Sequence, residues 1–233
     1  MNGFRIGGFQ IPPVIKNLII INVLVYLAEE TLGNNIQTQM FNFFALHDVQ
    51  SGFFKPYQLI TYLFLHGGWS HVLYNMLFLW MFGSSLENHW GSKRFLIFYV
   101  VSGIGAALCH MVVLYTEMAP LAQQVHALPV EMQQEYLTNP NFPLNNATVG
   151  ASGAVFGCMA AMGWLFPNEY IYINFLFPIK VKWYVLIYAG LELFSGVRAT
   201  AGDNVAHWAH LGGGLVGLLL VIYWNKTDRR NFY

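Results

Sequence analysis

Three polar clusters interrupt otherwise apolar stretches of this chain, and their residue types suit acyl transfer. They are Gly150-Ala151-Ser152-Gly153, the run His71-Val72-Leu73-Tyr74-Asn75 that follows His66, and His207-Trp208-Ala209-His210. A serine hydroxyl becomes a competent nucleophile when a neighbouring base takes its proton, and histidine suits that role near neutral pH. His210 shares a helical stripe with Gly213 and Gly217, and Ser152 is followed by Gly153 and Gly157. Glycines at such spacing let two helices approach closely, which would bring His210 within hydrogen-bond reach of Ser152. The oxyanion formed on attack needs donors. The Ser152 backbone N–H and the Asn75 amide supply two, with the His71 ring as a third. His71 and Asn75, spaced i, i+4, share one helical face. Asp203 precedes His210 by seven residues, about 10 Å along a helix, too far to orient the ring. The pattern therefore predicts a Ser152–His210 dyad. Phe156, one turn after Ser152, is placed to stack on the imidazole where other enzymes use a carboxylate.

Each cluster also has a plainer reading. A serine between glycines is often only a packing residue, and Ala154 breaks the G-x-S-x-G elbow of soluble hydrolases. For His207 and His210 the alternative is a metal held with His66 or His71, since imidazole suits zinc or copper. With no carboxylate or cysteine expected at matching depth, neither a metal nor another cofactor is expected. For Asn75 the plainer reading is a residue that joins helices. His110 is expected to hydrogen-bond locally, and Glu87 and Arg94 to act as anchors or ion-pair partners.

The elements that must position these residues are membrane spans. Of 233 residues, 56% are hydrophobic and only 9% charged, against about a quarter charged in soluble domains. Net charge is formally zero, so no basic surface points to nucleic acid. Cys109 and Cys158 lie inside apolar runs, which argues against a disulfide framework. The stretch MNGFRIGGFQIPP lacks the apolar core and cleavage site of a signal peptide. Apolar runs near the ~20 residues a span requires fall at 14–30, 69–86, 95–115, 149–166, 181–197 and 205–224. The expected architecture is all-α: one domain over 1–233, built as a polytopic bundle of six transmembrane helices.

Charge sets the orientation. Arg5, Lys16, Lys93, Arg94, Lys180, Lys182, Lys226, Arg229 and Arg230 fall on one side of this layout, and only Lys55 and Arg198 on the other. By the positive-inside rule both termini are cytoplasmic, and the connections 31–68, 117–148 and 198–204 face outward. The second, fourth and sixth spans then begin outside. At ~1.5 Å rise per residue, Asn75, Ser152 and His210 all lie within the first ~5–9 Å below the outer surface. The aromatic-rich 31–68 segment is expected to pack on the bundle or lie in the interface. The 117–148 segment is expected to be loop, with a short helix near 130–137.

In combination these motifs resemble the rhomboid family of intramembrane serine proteases, in its bacterial six-span form. His71 to Asn75 matches the family's H-x-x-x-N, Gly150 to Gly153 its G-x-S-G, and Ala209-His210-Leu211-Gly212-Gly213-Gly214-Leu215-Val216-Gly217 its A-H-x-x-G-x-x-x-G. The resemblance implies an outward-opening, water-filled cavity, with Ser152 as nucleophile and His210 as base. It implies His71, Asn75 and the Ser152 amide as oxyanion hole, and stacking on the histidine by the aromatic four residues after the serine, here Phe156. Gly150, Gly153, Gly157, Gly213 and Gly217 are expected at helix contacts. Glu87, after Gly83, resembles a residue that ties inner helix ends together. Substrates would be single-span membrane proteins in the lipid bilayer, cut near their outer ends, and the location a bacterial inner (plasma) membrane. Tyr57-Gln58 stands where the family commonly has Trp-Arg, the loop before Ser152 is long, and His207 adds a histidine one turn from the base.

Overall fold

The structure, a computed structural model, describes residues 11–173, 177–198 and 206–227. Its helices are α1 (Pro13–Thr31), α2 (Asn34–Phe44), α3 (Gln58–Thr61), α4 (Trp69–Phe78), α5 (Ser84–Trp90), α6 (Ser92–His126), α7 (Val130–Thr138), α8 (Ser152–Leu165), α9 (Val181–Arg198) and α10 (His207–Thr227). A short antiparallel hairpin, β1 (Tyr170–Ile173) and β2 (Phe177–Lys180), leads into α9. The hairpin was not foreseen; it is a connector, and the fold is all-α. Each expected span falls on a helix. Among the described residues α6 and α10 are long and apolar enough to cross a membrane by themselves, and α8 is a shorter apolar helix.

Many large apolar side chains face outward, among them Leu186, Ile187, Leu191 and Phe194 on α9 and Val112 on α6. A water-facing surface would not carry so continuous an apolar cover; a lipid-facing one does. The chain is an integral membrane protein. Cys109 and Cys158 are both free thiols.

Helix α10 packs chiefly on α8 and α6, and glycine makes that contact possible. A Cβ on Gly217 would lie 2.7 Å from Gly157 Cα, and one on Gly213 would overlap the Gly153 carbonyl. On the α6 side, a Cβ on Gly105 would lie 2.6 Å from Val216.

The second expected span is not one regular helix. Leu79–Gly83 form a π turn between α4 and α5. Such a turn adds a residue to the helical repeat and re-phases the helix beyond it, which no apolar periodicity announces. After it comes Glu87, buried and saturated. Its carboxylate accepts Val14 N–H at 3.0 Å, Ile15 N–H at 2.9 Å and the Ser92 hydroxyl at 2.6 Å. The first-turn amides of α1 have no partner within their own helix, so Glu87 caps α1 and ties it to the start of α6. Charge-assisted bonds of this kind contribute about 1.5–3 kcal/mol each. Glu87→Ala is expected to lower Tm by about 5–10 °C in a thermal unfolding scan in detergent, and parent-like melting would refute the capping role.

The long connections are more ordered than the sequence suggests. Helix α6 runs to His126, through Pro120, where a loop was expected from 117. Proline forfeits one backbone bond, but Ala122 and Val125 beyond it are buried, and that burial carries the helix on. Helix α7 lies where a short helix was expected. Leu46 and Thr148 exchange backbone bonds of 2.9 and 2.8 Å, joining the first long connection to the strand-like stretch before Ser152. Gln58 is buried and donates to the Phe53 and Phe43 carbonyls at 2.9 and 3.1 Å. A neutral amide therefore holds that loop.

Candidate active site

Ser152 is the first residue of α8, and its N–H belongs to the first-turn donors that a helix cannot satisfy internally. The chain reaches it through Gly150, whose N–H donates to the Tyr62 carbonyl at 3.0 Å and whose φ is +125°. That backbone conformation is open to glycine and strained for other residues. A Cβ there would also lie 2.7 Å from Nε2 of His71. Gly150, expected at a helix contact, meets His71 of α4, whose ring lies against the backbone just before Ser152.

From α10, His210 reaches back to the serine. Its Nε2 is 2.8 Å from Ser152 Oγ. Phe156 stacks on the same ring, with centroids 4.4 Å apart and planes 4° from parallel. Phe156 in turn contacts Tyr188 of α9 at 5.3 Å. The glycine contacts between α8 and α10 set this spacing, since a bulkier stripe would hold the two backbones apart.

His71 and Asn75 lie on α4 beside this pair. Gly67 N–H donates to His71 Nδ1 at 3.2 Å, so the neutral ring carries its proton on Nε2, the atom facing Gly150. Asn75 is buried, and its side-chain amide has no hydrogen-bond partner among the described residues. His66 packs edge-on against His71, centroids 5.1 Å apart, and both its ring nitrogens are buried without partners among the described residues. Burial, and then the neighbouring His71, push His66 down to about 3, so it adds no charge beside the site. His110 bonds Thr148 Oγ1 through Nε2 at 2.9 Å, a contact across the bundle rather than a local one.

One site residue escaped the sequence reading. Glu192 of α9 is buried, and its Oε2 lies 2.9 Å from Nδ1 of His210 and 2.6 Å from Nδ1 of His207. The expectation that no acid reaches the histidine is therefore corrected. Asp203, the acid weighed for that role, lies outside the described residues. The signal was present: between Lys182 and Arg198, Glu192 is the sole charged residue of α9, and an ionisable group inside a span is a functional candidate. Its partner was not legible, because the contact depends on how α9 is rotated against α10. By type, Glu192, His207 and His210 form a set that could hold a cation, with ligand atoms within 4.8 Å of one another. In this structure the three are joined by the two short hydrogen bonds through Glu192 Oε2. His66 and His71, the partners weighed for a metal, belong to a separate pair.

A membrane-embedded helical bundle with serine and histidine meeting at helix ends defines the class of protein. The chain belongs to the rhomboid family, whose Rhomboid domain matches residues 54–226. It is 28% identical to chloroplastic Rhomboid-like protein 11 of Arabidopsis thaliana over 90% of this chain and 64% of that protein. It is 27% identical to mitochondrial RHOMBOID-like protein 12 of the same plant over 97% of this chain and 61% of that one. With Rhomboid protease GluP of Bacillus subtilis it shares 24% over 85% of this chain and 32% of the relative. The chain thus spans less than two thirds of the length of each.

Proposed function

We propose that the chain is an intramembrane serine endopeptidase that cleaves single-span membrane proteins near the outer ends of their helices. The observation that carries this reading is the 2.8 Å approach of His210 Nε2 to Ser152 Oγ, with the imidazole stacked on Phe156. A relative named as a protease, GluP, supports a peptidase.

In the acylation step His210 Nε2 takes the Ser152 hydroxyl proton as Oγ bonds to the scissile carbonyl carbon. The carbonyl π electrons move onto oxygen, where the Ser152 N–H, the Asn75 amide and His71 Nε2–H donate. Collapse of the oxyanion breaks the C–N bond, and the proton on His210 passes to the leaving nitrogen. Water then repeats the sequence: His210 takes its proton, its oxygen bonds to the ester carbon, and collapse of the oxyanion breaks the C–Oγ bond as the proton on His210 passes to Oγ. The chemistry draws on no cofactor or metal and involves no nucleic acid.

In the same reading residues 1–233 form one domain that crosses the bilayer six times. The crossings are α1, α4 with α5, α6, α8, α9 and α10. The start of α1 and the end of α10 lie on the cation-rich side, and Ser152 opens on the opposite face. A bacterial inner membrane, expected from the sequence, gains no support from relatives whose names place them in chloroplasts and mitochondria.

A fluorophosphonate tests the reading without a known substrate. The full chain in detergent is expected to be labelled at Ser152, with the adduct located by peptide mass spectrometry. Absence of labelling on folded protein would favour a non-catalytic protein that binds single-span partners in the same groove.

A further inference from the structure

We propose that Glu192 is a positioning residue that completes a Ser152–His210–Glu192 triad, with His207 bracing the carboxylate; this rests on the serine protease reading above. A carboxylate only accepts hydrogen bonds. Glu192 Oε2, 2.9 Å from His210 Nδ1, therefore assigns the ring proton to Nδ1. Nε2 is left with its lone pair toward Ser152 Oγ, the tautomer that general-base catalysis requires. When Nε2 takes the serine proton, the cation that forms faces the carboxylate through Nδ1–H, and Glu192 itself stays unprotonated.

The arrangement is built rather than incidental. Glu192 comes from a helix whose neighbouring side chains, Leu191 and Leu193, point outward to lipid, yet it is only 9% exposed. A buried carboxylate is tolerated where it is paired and hydrogen-bonded, and here both donors are imidazoles. His207 Nδ1 reaches the same Oε2 at 2.6 Å, with the two imidazole planes at 90°. One oxygen thus receives two donors from different directions, which stops the carboxyl group from rotating off His210. Phe156 covers the ring face while Glu192 holds its edge. Stacking and a carboxylate act together on one imidazole, and the second histidine acquires a reason for its place one turn away.

The test measures fluorophosphonate labelling kinetics on the full chain in detergent. Glu192→Gln keeps the shape and removes the charge. Its maximal inactivation rate, kinact, is expected to fall by about 10²–10⁴-fold, as for loss of the acid in other triads, with KI, labelled stoichiometry and Tm near parent values. His207→Ala is expected to stay within about tenfold, because His210 keeps its acceptor. Glu192→Ala leaves a space for a small anion, so added formate is expected to restore its kinact at least about tenfold and to leave the parent unchanged. A Glu192→Gln kinact within about threefold of the parent overturns the triad and leaves the Ser152–His210 reading intact. So does a collapse of Tm and labelled fraction in Glu192→Gln and Glu192→Ala without formate rescue, which marks a purely structural role. Labelling that persists in Ser152→Ala overturns the serine reading itself.

Discussion

Ser152→Ala and His210→Ala are each expected to lower cleavage of a transmembrane substrate by at least ~10³-fold, while His207→Ala keeps at least about a tenth of parental activity. The ranking rests on which nitrogen faces which partner. His210 alone places an Nε2 on the serine, at 2.8 Å, whereas His207 meets Glu192 through Nδ1. Removing the serine leaves no oxygen to acylate, and removing His210 leaves its proton in place at neutral pH. Residues that act as one unit are not additive, so the Ser152→Ala/His210→Ala double variant is expected to be no worse than either single one. The measurement is product appearance from a panel of single-span substrates in liposomes, with cut sites read by mass spectrometry. A His207 variant deader than the His210 variant would show that the wrong histidine has been assigned as base.

The second large effect is expected at a residue with no chemistry. Gly213→Ala places a methyl group where the Gly153 carbonyl sits, one residue from the nucleophile on α8. There is no flexible side chain to yield, only backbone, so α10 must move away from α8. Overpacking of this kind costs about 1–3 kcal/mol. The functional cost is larger, because about 1 Å of misplacement between reacting groups can lose ~10²-fold in rate. Gly213→Ala is therefore expected to melt a few degrees lower and to lose at least ~100-fold in kcat, with KM changed far less. Fluorophosphonate labelling of folded protein should slow in parallel. Parent-like kinetics would show that the two helices can separate without disturbing the Ser152–His210 contact.

The residues behind both effects were legible in the chain itself. Ser152, His210, His71, Asn75 and Phe156 stand out by type and spacing, and the structure joins Ser152 to His210, stacks Phe156 on His210 and sets His71 against Gly150 just before the serine. They were legible because polar residues in apolar runs are costly and few, so each one present is conspicuous. The glycine stripes were legible for a similar reason, since small residues repeating every fourth position leave few uses other than close contact. The positive φ of Gly150 was not legible, because it belongs to the turn geometry before α8.

Other features lay beyond any local pattern. The π turn at Leu79–Gly83 and the continuation of α6 through Pro120 run against sequence expectation. In both places packing outweighs the local preference of the backbone. Gln58 could be seen to depart from the family's arginine, but only its three-dimensional surroundings show carbonyls waiting for its amide.

By itself the sequence determined the all-α character, the apolar lengths that become helices, the charge asymmetry and which serine, histidine and phenylalanine stand out as a candidate site. Those properties are periodic or compositional, and a one-dimensional string carries them in full. Only the tertiary structure decided that Glu192 stands behind His210, with His207 on the same oxygen. Residues 192 and 210 sit on different helices, and their meeting depends on the rotation of α9 about its own axis. That rotation comes from the packing of side chains such as Phe156 and Tyr188 across the helices, a sum over contacts that no spacing along the chain encodes.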